Sequence, residues 1–377
     1  MWTKGTIAEL CEIEYGTRVV RKNEHGNDYP VYGGGGETFR IDRKNRTNRL
    51  IVARFGMSEK CTRFVSGDFF LNDSGLTISP KRSDLSQDYL DKVILAKNNE
   101  IFTLGRGSAQ KNLNMDGFKN ICFQFPPLAE QQRIVAKLDA AFTEIDGAIE
   151  GIKSKEIEIE KLKASLSSAS FSGDAEMWKT IKLGDVCDLS TGGTPSRTKP
   201  EYFDNGEVKW LVSGDINQRE IFDCDGRITQ EGLKNSNAKF LPLDSVLIAL
   251  NGQGKTRGTV ALLRTKATCN QSLISISPKV GIDLETKYIF YALDGMYDKI
   301  RKLTGVSGND RRGLNMSLIR NIQFSYPLLA EQKRIVAKLD AAQCEFEIAN
   351  EAISNTKMNY LALKSAILKK ELQSEAA

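Results

Sequence analysis

Histidine is almost missing: His25 stands alone in 377 residues. One imidazole excludes a metal centre built on several histidines and leaves a Ser-His-Asp relay without support. The seven cysteines, at positions 11, 61, 122, 187, 224, 269 and 344, are odd in number and form no C-x-x-C pair. That pattern speaks against a disulfide framework and against a zinc ribbon. No apolar run approaches the roughly 18 residues that cross a bilayer. The opening Met1-Trp2-Thr3-Lys4-Gly5-Thr6 lacks the apolar stretch of a signal peptide. A soluble, cytoplasmic protein without a membrane segment is expected. Neither sign of charge dominates: 53 basic against 48 acidic side chains give +5. Such a balance permits nucleic-acid binding without requiring it.

What the chain does have is a repeat. Ala129 to Ala141 (AEQQRIVAKLDAA) and Ala330 to Ala342 (AEQKRIVAKLDAA) agree at 12 of 13 positions, 201 residues apart. The same offset aligns Leu113-Asn114-Met115 with Leu314-Asn315-Met316, and Leu162-Lys163 with Leu363-Lys364. Upstream the match is looser. Ile7 to Ile13 (IAELCEI) aligns with Leu183 to Leu189 (LGDVCDL) at 176, and Leu76 to Lys81 with Ile274 to Lys279 at 198. The chain therefore reads A–B–A′–B′, with B nearly invariant and A strongly diverged. The segments are residues 1–125, 126–173, 174–326 and 327–377.

Both B segments read as long helices. Pro126 and Pro127 suit a helix start, and Glu130 favours the positive end of the dipole. Apolar residues follow in steps of seven, or of three and four: Leu138, Ile145, Ile149, Ile152, Ile159, Leu162 and Leu166, then Leu339, Phe346, Ile353, Tyr360, Leu363 and Ile367 in the second copy. Each helix has roughly 40 residues, about 60 Å. Two stripes of matching phase most simply pack as an antiparallel pair, and a wider four-helix bundle is the alternative. The first helix ends in a serine-rich stretch closed by Gly173. Gly147 and Gly151 stand where the second copy has Ile348 and Ala352. They either permit a close approach or bend, or mark a weak point at about 1 kcal/mol each.

The A segments alternate short apolar runs, such as Leu50 to Ala53 and Ser245 to Leu250, with Gly, Asn and Asp turns, which points to mixed α/β domains. Tyr288 to Leu293 suggests a helix near the end of the second. Residues 1–125 carry 19 basic and 15 acidic side chains and residues 174–326 carry 21 and 18, whereas the helical segments carry 6 and 8, and 7 and 7. The basic excess lies in the A domains. In the first, Arg40, Arg43, Lys44, Arg46, Arg49, Arg54, Lys60 and Arg63 face only Glu37, Asp42 and Glu59. Such a cluster can follow a phosphate backbone or simply form a solvated surface.

Motifs for chemistry are wanting. Gly252-Gln253-Gly254-Lys255-Thr256 resembles a P-loop, but Ala249 occupies the place of its first glycine. Gly33 to Gly36 lacks the spacing of a dinucleotide fingerprint. Phe125-Pro126-Pro127-Leu128 lacks the polar first and aromatic fourth residues of an adenine-methyltransferase loop. No carboxylate–lysine nuclease cluster or metal site stands out, His25 reads as a loop residue, and Cys11 and Cys187 occupy matching core positions. No catalytic residue is assigned.

Two variable domains, each followed by a long helix that opens Pro-Leu-x-Glu-Gln-x-Arg-Ile-Val, resemble the specificity subunits of type I restriction–modification systems. The motif stands at Pro127 to Val135 and again at Leu328 to Val336, where Pro327 precedes it. Leu183 to Val186 and Gly252-Gln253-Gly254 followed by Asn270-Gln271 also fit. In the first domain Asn72-Asp73-Ser74 replaces Asn270-Gln271-Ser272. The resemblance implies an α+β chain: two mixed α/β target-recognition domains separated by two long antiparallel helices, in a pseudo-twofold repeat. It further implies that each domain reads half of a bipartite, interrupted sequence in double-stranded DNA. Two methyltransferase subunits, with S-adenosylmethionine, and two restriction subunits, with ATP and magnesium, would supply the chemistry, and this chain would bind no cofactor.

Candidate DNA contacts are Arg18, Arg43, Arg46 and Lys111 in the first domain and Arg197, Lys255, Arg257 and Arg311 in the second. Candidate packing or docking positions are Leu138, Ile145, Ile149, Ile152 and Ile159, with Leu339, Phe346, Ile353, Leu363 and Ile367. Two other readings compete: a coiled-coil scaffold that binds only protein, and a stand-alone DNA-modifying enzyme.

Overall fold

The computed structural model describes residues 2–108, 110–172, 178–252, 254–304 and 313–373. It divides into two units, residues 1–154 with 353–377, and residues 155–352. In the first, β1 (Thr3–Thr6), α1 (Ile7–Leu10) and β2 (Cys11–Tyr15) lead into β3 (Tyr29–Tyr32), β4 (Glu37–Ile41), β5 (Arg46–Ala53), β6 (Thr62–Leu71) and β7 (Gly75–Pro80). Then come α2 (Gln87–Ala96), α3 (Asn98–Thr103), a hairpin of β8 (Gly105–Arg106) and β9 (Asn112–Leu113), α4 (Met115–Lys119), β10 (Cys122–Phe125) and the long α5 (Leu128–Ser170).

The second unit repeats the plan. It has β11 (Lys179–Lys182), α6 (Leu183–Val186), β12 (Cys187–Thr191), β13 (Val208–Leu211), β14 (Glu220–Ile221), β15 (Arg227–Ile228), α7 (Gln230–Lys234), β16 (Val246–Ala249), β17 (Val260–Leu263), β18 (Thr268–Cys269) and β19 (Leu273–Pro278). Finally come α8 (Thr286–Gly295), α9 (Tyr297–Lys302), α10 (Met316–Arg320), β20 (Gln323–Tyr326) and α11 (Leu329–Gln373).

Diverged sequences make one sheet topology. The strand order β2-β7-β5-β6-β3, with β4 on the edge, matches β12-β19-β16-β17-β14. In both sheets the last pairing of the matched five is parallel and the rest are antiparallel. The apolar runs read from the sequence become central strands. Val246 to Ala249 are all 0% exposed, as a strand covered on both faces requires. In each unit the first strand pairs with the last before the long helix: Thr3 opposite Phe125, and Lys179 opposite Tyr326. Cys11 and Cys187 are both buried.

A buried glutamine joins each domain to its helix. Gln131 is 0% exposed. Its Nε2 donates to the carbonyls of Asp84 and Pro126, each at 2.7 Å, and its Oε1 accepts the Ser86 N–H at 2.8 Å. Gln332 does the same with Asp283, Pro327 and Glu285, at 3.0, 2.9 and 2.8 Å. Ser86 and Glu285 are the N-caps of α2 and α8. One amide side chain thus satisfies three backbone groups that burial would leave unpaired. The neighbouring Arg133 and Arg334 grip Glu130 and Glu331 at the exposed surface.

Each unit also receives the end of the other long helix. In the first, Leu368 is buried in the domain core with Ile367 and Leu372 beside it. Lys137 pairs with Glu371 and Asp146 with Lys364, so residues 128–154 and 353–373 run antiparallel. In the second unit Leu166 and Phe171 pack on the core that holds Ile335 and Leu339.

The packing positions divide. Leu138, Ile145, Ile152 and Leu339 are buried, and Ile149, Ile159, Phe346, Ile353 and Ile367 are half-buried. Leu363 is 46% exposed and Leu162 is 60% exposed, so neither lies in the seam. The covered positions run Ile353, Lys357, Tyr360, Lys364, Ile367, and, in the first copy, Ile152, Glu156, Ile159, Lys163, Leu166. Each line alternates steps of four and three and so keeps a strict heptad; in the last repeat the four-residue step comes before the three, which puts the contact one residue past the leucine. Lys364 takes the place, its stem serving as apolar cover, with Nζ 4.7 Å from the Phe142 ring centroid. Gly147 and Gly151 are exposed, and a Cβ on either meets nothing within 4 Å. They permit no close approach in the described structure.

Candidate nucleic-acid interface

The basic cluster of the first domain is largely committed to the protein itself. Arg40 donates to Glu37 and to the carbonyls of Asn27 and Asp28. Lys44 pairs with Asp68, and Arg49 with Glu14 and Ser79. Arg63 donates to the carbonyls of Gly34 and Lys60. Arg43 pairs with Glu24 at 2.7 Å while its side chain remains 52% exposed.

Arg46 is bound within the protein. It is 15% exposed and bonds Thr77 Oγ1 and the carbonyls of Asn45 and Tyr15, with Glu14 at 3.3 Å. Its position on β5 turns it onto β7 and β2, so few of its five donors remain for a ligand.

Arg18, Lys111, Arg197 and Lys255 lie at the surface, and Arg257 is half-buried. Arg18 and Arg197 are exposed and, among the described residues, meet no carboxylate. Lys111 is exposed, its Nζ 4.2 Å from the Phe102 ring centroid. Lys255 and Arg257 sit on the turn between β16 and β17. The Lys255 carbonyl accepts from Tyr297 Oη at 2.7 Å and the Arg257 carbonyl from Arg301 at 3.0 Å, so α9 holds this turn in place. Arg301, not singled out from the sequence, acts on the backbone of the turn. Arg311, Gln253 and Gly173 lie outside the described residues.

The glycine-containing segment at Gly252 leads into strand β17 and not into a helix, so it lacks the helix N-terminus that a P-loop offers phosphates. Gly33 to Gly36 form the turn between β3 and β4, closed by Gly33 N–H to the Gly36 carbonyl at 3.3 Å. His25 lies in an exposed loop. Among the described residues no three His, Cys, Asp or Glu side chains gather as metal ligands. No described helix is long and apolar enough to cross a membrane. Burial pushes the Cys11 and Cys187 thiols up to about 12, which suits packing and not nucleophilic attack.

Comparison with known proteins agrees with this architecture. The family model described as type I restriction modification DNA specificity domain matches residues 1–160 and 175–357. The type I restriction enzyme EcoR124I/EcoR124II specificity subunit of Escherichia coli is 28% identical over 169 residues, 45% of this chain and 41% of that one. The StySPI specificity subunit of Salmonella potsdam is 20% identical over 293 residues, covering 74% and 62%. The matches therefore span about two fifths to three fifths of those relatives' own length.

Among solved structures, a chain from work on complex assembly and conformational transition of the type I R-M system superposes with a TM-score of 0.74 at 19% identity, covering 99% of this chain and 98% of that one. The HsdS subunit from Thermoanaerobacter tengcongensis gives 0.52 at 19%, covering 99% and 97%. Two matched segments spanning most of the sequence place this chain in the family of type I restriction–modification DNA specificity domains.

Proposed function

We propose that the chain is the DNA-reading specificity subunit of a type I restriction–modification complex, in which each variable domain reads one half of a bipartite, interrupted duplex target. The observation that carries this reading is the contrast within the repeat. Sheet order and the Gln131 and Gln332 clamps recur between the units, while the side chains presented at equivalent loops differ. A fixed mount with changeable readout suits two different half-sites. Half-sites about one DNA turn apart, near 34 Å, face the same side of the duplex.

The long helices set the gap and dock two methyltransferase subunits, and two restriction subunits complete the assembly in the cytoplasm. Adenine methylation with S-adenosylmethionine and ATP- and magnesium-dependent cleavage belong to those partners. This chain is non-catalytic and holds no cofactor of its own. Domain limits at residues 1–125 and 174–326, and DNA contacts at Arg18, Lys111, Arg197 and Lys255, belong to the same proposal.

The test is salt dependence. The affinity of the chain for a duplex carrying its target should fall linearly on a log–log scale as salt rises, because each phosphate contact releases counterions. A protein-only scaffold shows no such duplex binding at any salt concentration, and that result would reject the reading.

A further inference from the structure

Arg54 differs from the other arginines of the basic cluster. Its guanidinium lies 4.8 Å from the Tyr15 ring centroid and 4.6 Å from that of Phe55. Both rings are themselves exposed, Tyr15 by 44% and Phe55 by 37%. Among the described residues its N–H groups meet no carboxylate, carbonyl or hydroxyl, whereas Arg40, Arg43, Arg46, Arg49 and Arg63 all do. The backbone beneath it is fixed. Arg54 N–H donates to the Ser74 carbonyl at 2.8 Å, and its own carbonyl accepts from Leu113 N–H at 2.8 Å. The Gly33–Gly36 turn lies so close that a Cβ on Gly34 would come within 2.2 Å of the Phe55 carbonyl oxygen.

We propose that Arg54, held in plane by Tyr15 and Phe55, reads a guanine base edge in one half of the DNA target. A planar fork with unused donors matches the O6 and N7 acceptors that guanine presents in the major groove. The stacking rings order the side chain before DNA arrives, which lowers the entropy lost on binding. A phosphate contact, by contrast, needs charge but no fixed plane. The equivalent backbone position in the second domain is Leu250, whose N–H donates to the Ser272 carbonyl and whose carbonyl accepts from Leu314 N–H. Leu250 is 8% exposed and has no polar edge to offer, so this contact belongs to one half-site alone.

The proposal rests on the DNA-reading function above, and the test separates the two. The full chain is expressed with its cognate methyltransferase subunits in a host without adenine methylation, and modified adenines are mapped genome-wide. Arg54→Ala should relax one G·C pair in one half of the motif, with modification of sites altered there rising about 5- to 150-fold relative to the cognate site. The other half stays unchanged and serves as the folding control. Arg54→Gln, which keeps a stem between the rings, should shift that position towards A·T and repeats the reading should Arg54→Ala fail to assemble. An unchanged motif in both variants would overturn the proposal. So would a uniform loss across all sites that Arg54→Lys restores, since that marks a phosphate contact. A wild-type complex that assembles and modifies nothing rejects the underlying function instead.

Discussion

Replacing Gln131 by methionine isolates the clamp that mounts the first domain on its helix. The thioether keeps the volume but removes all three hydrogen bonds, leaving the Asp84 and Pro126 carbonyls and the Ser86 N–H without their partner. Each orphaned buried group costs roughly 1–3 kcal/mol. With some relaxation of the carbonyls, the expected loss is about 3–6 kcal/mol, a large part of the roughly 5–15 kcal/mol that holds a typical domain. Gln131→Glu should be worse, because a carboxylate would face two carbonyl oxygens with no N–H to give them. Urea unfolding measures the total, and amide hydrogen exchange localises it. Protection should fall at the start of α2 and in β10, while α8 and β20 keep theirs, and Gln332→Met should reverse the pattern. Arg334→Ala, which breaks an exposed pair with Glu331, is the control and should leave stability close to unchanged. A Gln131→Met loss no larger than that control would refute the clamp.

Asp91 is 6% exposed and accepts from Gln87 Nε2 at 2.7 Å, and burial pushes its carboxyl up to about 6. A raised carboxyl favours the protonated form in the folded state, so its contribution is retained at acid pH and lost as pH rises from about 4 to 6. Asp91→Asn should flatten that part of the stability–pH curve and raise stability at pH 7.5 by up to about 3 kcal/mol; a lower melting temperature there would mean that Arg49 compensates the charge fully. Gly147→Ala and Gly151→Ala should each stabilise the first helix by about 0.5–1 kcal/mol, read as a higher melting temperature. A drop for either would mean that a bend or close approach at that glycine matters.

Patterns carried by neighbouring residues were legible in the sequence, and patterns set by the sheet were not. The near-identical AEQxRIVAKLDAA stretches give α5 and α11 directly, since helix periodicity and proline placement are local. Leu50 to Ala53 and Val246 to Ala249 read as buried strands for the same reason. The partners of Arg46, Thr77 and Tyr15, stand 31 residues away on either side, and only the pairing of β5, β7 and β2 brings them together. Leu363 misses the seam because a heptad divides as four then three or as three then four; both keep Tyr360 and Ile367, and only the packing of the helices selects Lys364. Gln131 and Gln332 stand in the Pro-Leu-x-Glu-Gln motif, which by itself gives them no role. The signal was there: an amide kept in both copies amid an otherwise apolar or charged stretch. Arg54 lay inside a run of eight basic residues, and only the two rings beside it set it apart.

The central claim is that two domains on one repeated mount read two different half-sites. Its most direct measurement maps modified adenines in a methylation-free host that carries the chain and its cognate methyltransferase. The comparison is the same chain with residues 1–125 exchanged for the variable domain of a relative. The account predicts one interrupted motif for the parent and a change confined to one half in the exchange. A motif altered in both halves, or modification that persists when this chain is omitted, would contradict it.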